Sequence, residues 1–144
     1  MNVNAVDVLL VEDNVDDAEL IIWELKRHHM TNHLVHVRDG EEALEFLFAT
    51  GEYANAGHSM PKIILLDIQM PKVNGIEVLK NIKSNERTRA IPVIILTSSN
   101  QHPDIRTCYE LGANSYIVKP LNFERFSESI RNLGFYWLLL NQAP

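Results

Sequence analysis

The chain has 144 residues and a formal net charge of -6, with 46% hydrophobic and 22% charged residues, enough for one domain with a buried core and unlike a disordered segment. The acidic balance disfavours non-specific nucleic-acid binding, and a single cysteine, Cys108, excludes both an internal disulfide and a cysteine-held zinc. No run approaches the roughly 18 apolar residues of a membrane span, and the opening MNVNAVDVLLVED lacks a basic region followed by an apolar segment, so no membrane segment is expected and a reducing, cytoplasmic setting is.

Val6 to Val11 reads as a buried strand that ends at Glu12 and Asp13. Asn14 opens a helix with Asp16 and Asp17 in its first turn and Lys26, Arg27, His28 and His29 in its last, the charge order that a helix dipole favours. Ala18, Ile21, Ile22 and Leu25 give its buried stripe. Leu34 to Val37 is short and flanked or interrupted by His33 and His36, which suits an edge strand. Asp39 with Glu42 has the spacing of a capping box, Ala43, Leu44, Leu47 and Phe48 form the inward face of a second helix, and Gly51 is expected to stop it.

Residues 51–61, GEYANAGHSMP, form a long small-residue loop whose composition names no chemistry. Ile63 to Leu66 is a continuous apolar run, the pattern of a strand covered on both faces of a parallel sheet, and Asp67 ends it. Pro71 and Asn74-Gly75 break the chain before a third helix, with Asn74 and Glu77 as its capped start and Ile76, Val78, Leu79 and Ile82 facing inward. Ile91 to Leu96 is a fourth strand, closed by Thr97, Ser98 and Ser99. Pro103 lies early in the next helix, Ile105, Cys108 and Tyr109 share a face, and Gly112 fits its carboxyl cap. Tyr116 to Val118 is a short fifth strand ending at Lys119-Pro120, and Asn122 caps a last helix.

Five alternations of strand and helix predict an α/β fold with a doubly wound, five-stranded parallel sheet in the order 2-1-3-4-5, of flavodoxin type. No linker or repeat divides residues 1–144, so a single domain is expected, with an extended last helix and no separate output domain. In that order the first and third strands meet at the switch point, bringing Glu12, Asp13 and Asp67 together with Thr97 and Lys119 on adjoining strand ends. Clustered carboxylates repel unless something positive compensates, and a hard dication such as magnesium or manganese prefers such oxygen ligands. A lysine and a hydroxyl nearby could hold phosphoryl oxygens. The constellation describes phosphoryl chemistry on a carboxylate.

The motifs VEDN at 11–14, LLDIQMPKVNG at 65–75, LTSS at 96–99 and YIVKP at 116–120 resemble those of the receiver domains of two-component response regulators, over essentially the whole chain. The resemblance implies that Asp67 accepts a phosphoryl group from a histidine kinase phosphohistidine. It implies that Glu12 and Asp13 serve the metal together with Asp67 and the backbone carbonyl of Gln69, that Thr97 and Lys119 contact the phosphoryl group, and that Tyr116 is a rotating aromatic switch. Gln69 and Ser99 occupy positions that tune hydrolysis of the acyl phosphate in such domains, and Ser98 is bulkier than the alanine often found after the switch threonine.

Two other classes stand beside it. A haloacid-dehalogenase-type phosphatase also places an acceptor aspartate after a parallel strand, but usually has a second carboxylate where this chain has Gln69, and no cap domain is evident. A phosphorylation-independent binding module would keep the fold without using the site, against which the intact constellation argues. The expected protein signals by contact with other proteins and catalyses only its own phosphorylation and dephosphorylation, without turnover of a separate substrate. Single-domain regulators of this pattern include chemotaxis-type proteins, phosphorelay shuttles and partners of phytochrome-linked kinases, and the 51–61 loop and the aromatic end of the chain resemble the phytochrome-associated group more than the others. Phe123, Phe126, Ile130, Leu133, Trp137 and Leu140 recur at spacings of three and four, and residues 135–140, FYWLLL, are apolar all round. A helix apolar on every face needs cover on more than one side, which predicts a homodimer through the last helix, the alternatives being a tail folded back over its own core and a contact with the kinase.

Overall fold

A computed structural model describes residues 7–27, 33–55, 57, 59–70, 73–98, 102–119, 124 and 128. Its strands are β1 (Val8–Val11), β2 (Leu34–Val37), β3 (Ile63–Asp67), β4 (Val93–Thr97) and β5 (Ser115–Val118), and its helices α1 (Val15–Arg27), α2 (Gly40–Phe48), α3 (Gly75–Ser84) and α4 (His102–Glu110). The sheet runs β2-β1-β3-β4-β5 and every pairing is parallel, as the alternation predicts. The last helix and its apolar seam from Phe123 to Leu140, the cap Asn122, and His28, His29 and Val6 lie outside the described residues.

Side chains alternate across each buried strand, so the sheet feeds two apolar layers. Val8, Leu10, Ile63, Leu65, Ile94, Leu96 and Ile117 pack with Ala18, Ile21 and Leu25 of α1. Leu9, Val11, Ile64, Leu66, Val93 and Ile95 face the other way, against Ala43, Phe46 and Leu47 of α2, Val78, Leu79 and Ile82 of α3, and Cys108 of α4. Burying each such aliphatic side chain is worth about 2 kcal/mol, so these layers supply most of the driving force for the fold. β2, the polar edge strand, is only partly buried until Val37.

The helix starts follow their capping residues. Asn14 Oδ1 accepts from the Asp17 N–H at 2.9 Å, Asp39 Oδ1 from Glu42 N–H at 2.8 Å, and Asn74 Oδ1 from Glu77 N–H at 3.1 Å. Glu42 bonds back to the Arg38 N–H at 3.1 Å, which completes the box one residue earlier than the ideal pattern. At the end of α4 Gly112 takes φ 108°, a left-handed conformation that glycine adopts without steric cost.

Several boundaries differ from the sequence reading. α2 is stopped by Ala49, left-handed at φ 53°, before the chain reaches Gly51. Gly51 instead opens a short 3-10 turn, Gly51–Tyr53. Tyr53 then sets its ring edge against Phe46 at 5.2 Å and donates to Glu42 at 2.8 Å, so this part of the long loop is tied down. β4 starts at Val93 rather than Ile91 because Pro92 has no N–H to give, and the Ile91 N–H turns back to the Thr88 carbonyl at 3.0 Å. Tyr109 is 45% exposed and does not share the buried face of Cys108.

At the end of the sheet away from the strand carboxyl termini, Lys83 threads the α3–β4 connection. Its Nζ donates to the carbonyls of Arg89 at 3.0 Å and Ile91 at 2.9 Å, and burial holds its ammonium below the ordinary lysine range. Thr88, fully buried, donates to the Ile82 carbonyl at 2.6 Å.

Candidate functional site

Strand register brings the acidic residues level with one another. Val11 pairs with Leu66, so Glu12 and Asp67 are the next residues on neighbouring central strands. Asp67 pairs with Leu96 across to β4, and Thr97 with Val118 across to β5, which places Lys119 one step beyond. Thr97 is fully buried, and its carbonyl accepts from the Lys119 N–H at 2.7 Å.

The Lys119 ammonium lies among three carboxylates, 2.6 Å from Glu12 Oε1, 2.9 Å from Asp17 Oδ2 and 3.2 Å from Asp67 Oδ2. The other Asp67 oxygen, Oδ1, accepts from the Gln69 N–H at 2.8 Å. Glu12 Oε2 accepts from the Asn14 N–H at 3.1 Å. Glu12 Oε1, by contrast, is buried without an aligned hydrogen bond, so its short contact with Lys119 is an ion pair by proximity and leaves acceptor capacity over.

Burial pushes the Glu12 carboxyl up to about 8, and a hydrogen bond shared with Asp67 and the Asp67 charge add to the rise against the opposing Lys119 and Asn14 contacts. For Lys119, burial works against the charged form, but its close pairing with Glu12 and Asp17 and the charges of Asp67 and Glu12 outweigh it and hold the ammonium above the ordinary lysine range.

Glu12, Asp13 and Asp67 each offer a carboxylate oxygen, all within 4.8 Å of one another. The donor set is oxygen throughout, Asp13 is exposed and leaves room for waters, and Glu12 Oε1 has capacity to spare. These residues fit a hard dication.

The loops around the site are built to close tolerances. A Cβ on Gly75 would lie 2.3 Å from the Asp67 carbonyl oxygen and from Ile68 Cα, and one on Gly40 would lie 1.9 Å from the Val73 carbonyl oxygen. Ser98 donates to the Gln69 side chain across the mouth of the site, joining the loops that follow β4 and β3. His36 Nε2 lies 2.8 Å from the Glu12 carbonyl oxygen.

Glu12, Asp13, Asp67, Thr97 and Lys119 therefore meet at one end of the sheet, with Gln69 beside them. Tyr116 lies apart from the acidic cluster, on the face of β5 that looks toward α4, with its ring edge against Tyr109 at 6.0 Å. Asp17 is the site residue that sequence reasoning missed. As an acid in a first helical turn it had a sufficient explanation, and its signal was its place three residues after the Asn14 cap, directly beyond the strand end that carries Glu12 and Asp13.

A parallel 2-1-3-4-5 sheet with an acidic cluster and a lysine at its carboxyl edge defines a receiver-type domain. Residues 8–131 match the response regulator receiver domain, and the chain belongs to that family. The probable methanogenesis regulatory protein FilR2 of Methanothrix harundinacea is 42% identical over 137 residues, covering 95% of this chain and 86% of its own length. The phosphorylated cyanobacterial phytochrome response regulator RcpA superposes with a TM-score of 0.87 at 39% identity, covering 97% of this chain and 99% of that one. The Mn(2+)-bound form of response regulator Rcp1 gives a TM-score of 0.86 at 36% identity, covering 98% and 99%. Among the described residues no helix is long and apolar enough to cross a membrane.

Proposed function

We propose that Asp67 is the phosphoryl acceptor of a cytoplasmic response regulator whose donor is a phosphohistidine on a histidine kinase. The observation that carries this reading is the Asp67 carboxylate, held at the end of the central strand between the Gln69 N–H on one oxygen and Lys119 on the other. An Asp67 oxygen attacks phosphorus in line, the new P–O bond forms as the P–N bond to imidazole breaks, and the imidazole nitrogen keeps the electron pair. Lys119 holds the growing negative charge on the phosphoryl oxygens, and the Thr97 hydroxyl contacts the transferred group.

Glu12, Asp13, Asp67 and the Gln69 carbonyl would hold magnesium, or manganese as in the Rcp1 relative. When bound, the ion supplies positive charge that offsets the carboxylates and the phosphoryl group. The acyl phosphate then hydrolyses on the same protein, so the chain is a signalling protein rather than a turnover enzyme, and Gln69 in place of a second carboxylate disfavours the haloacid-dehalogenase reading. Likeness to RcpA supports a phytochrome-linked kinase as the partner.

Incubation with magnesium and acetyl phosphate tests the assignment. Wild-type protein should form an alkali-labile acyl phosphate and Asp67→Asn none. Equal labelling of that variant would sink it, and continuous release of phosphate from a small phosphomonoester would favour the phosphatase.

The seam from Phe123 to Leu140 supports a homodimer through the last helix. Light scattering should give twice the chain mass at tens of micromolar, and replacing Phe135, Tyr136 and Leu139 with polar residues should halve it. A wild-type monomer with and without beryllofluoride removes the homodimer.

A further inference from the structure

We infer that Asp17 is a positioning residue that competes with the phosphoryl group for the Lys119 ammonium, so that phosphorylation proceeds by exchange of this one carboxylate for a phosphoryl oxygen. The inference rests on the reading of Asp67 as acceptor and adds to it a residue of α1. Three carboxylates crowd the Lys119 ammonium, those of Glu12 at 2.6 Å, Asp17 at 2.9 Å and Asp67 at 3.2 Å. A phosphoryl oxygen that closes on Lys119 enters space that one of them now occupies, and the carboxylate freest to move is the one that yields it.

The three are not equally free to leave. The Glu12 side chain is 0% exposed, and losing the lysine would strand a carboxylate in the interior. Asp67 is the group being modified, so its own oxygen and the phosphoryl oxygens stay together. Asp17 is 24% exposed, starts a helix at the surface and lies outside the three-carboxylate group suited to the metal. Once released it can turn to water, where a carboxylate is well solvated, and its N–H remains on the Asn14 cap whichever way the side chain points. A resting lysine held by Asp17 is also kept at the site, so the same contact that preorganises Lys119 must be given up when the phosphoryl group arrives.

Charge points in the same direction. Lys119 faces Glu12, Asp17 and Asp67 at ion-pair distance, and an incoming anion meets the field of all of them. Removing the Asp17 charge lowers that repulsion and frees a donor in one step.

The test uses the full chain with magnesium and beryllofluoride as the phosphoryl stand-in, titrated by calorimetry. Asp17→Asn keeps the size of the side chain and should bind beryllofluoride about fivefold more tightly than wild type, the scale of one partly exposed ion pair. Asp17→Ala should move the same way, and Asp17→Glu, which restores the charge, should return toward wild type. The Lys119 13Cε resonance supplies a readout that a purely structural role would not move: beryllofluoride should shift it in wild type, and Asp17→Asn should start part of the way there. Unchanged or weaker beryllofluoride binding in both Asp17→Asn and Asp17→Ala, with folded circular dichroism spectra, overturns the inference while wild-type binding leaves the acceptor assignment standing. Failure of wild type to bind beryllofluoride with magnesium overturns both.

Discussion

Gly75 lies against Asp67 so closely that a methyl group on its Cα would come 2.3 Å from the Asp67 carbonyl oxygen. Both the oxygen and the equally close Ile68 Cα are backbone, so neither can rotate away. Gly75→Ala should therefore displace the end of β3 or the loop after it, with a stability loss of about 3 kcal/mol by urea denaturation and loss of acetyl phosphate labelling out of proportion to the unfolded fraction. A variant of wild-type stability and labelling would show that the loop tolerates what the geometry forbids.

Asp13 reaches the cluster from an exposed position, and so can be changed with little damage to packing. Asp13→Ala should lower magnesium affinity by about tenfold or more while the circular dichroism spectrum stays that of wild type. Without metal the same variant should melt higher than wild type, because one of the mutually repelling carboxylates has gone. Calorimetric titration and a thermal melt in chelator check the two halves separately.

The Glu12 carboxyl carries a pH dependence of defined sign. In metal-free protein its pKa is about 8 in the fold against 4.5 for the free side chain, with burial as the main cause. Between those values the folded state holds a proton that the unfolded state has released, so stability falls as pH rises. This contribution is present in full below 4.5 and is lost as pH rises through about 8. Urea denaturation in chelator at pH 5 and pH 8.5 should give a steeper loss for wild type than for Glu12→Gln. Parallel profiles would place the titration elsewhere.

Tyr116 is 39% exposed and rests its ring edge on Tyr109. A Thr97 hydroxyl drawn toward a phosphoryl group would vacate volume beside β5 that a nearby ring could fill, which is the two-state element proposed for this face. Crystals with magnesium and beryllofluoride should show Tyr116 turned inward and its contact with Tyr109 broken. The same rotamer with and without beryllofluoride would remove Tyr116 from the switch.

The sheet was legible in the sequence because continuous runs such as Ile63 to Leu66 have no other comfortable place, and the caps Asp39 and Asn74 because a short polar side chain before a periodic apolar stretch has a specific backbone partner. That the strand-end residues Glu12, Asp67, Thr97 and Lys119 lie close together was legible for the same reason, since register on a parallel sheet brings those ends together. Asp17 was not, because its partner comes from the far end of the fold and the local explanation was already sufficient. Tyr109 misled because it follows Cys108 directly and is turned about 100° around the helix, out of the buried layer. Ala49 misled because sequence favours the nearby glycine for a left-handed turn, while the backbone makes that turn two residues earlier.

The Lys83 clamp makes the opposite end of the molecule a fixed reference point. Exposed Glu86 and Arg87 sit on a connection whose Arg89 and Ile91 carbonyls are bonded to Lys83 and whose Thr88 is tied to α3. A dye or surface tether attached at Glu86 is remote from Lys119 and Asp67, so the distance from that anchor to a second label beside the site would record movement of the second label alone. Amine-directed coupling would forfeit this, since modifying Lys83 would sever the bonds that hold the anchor still.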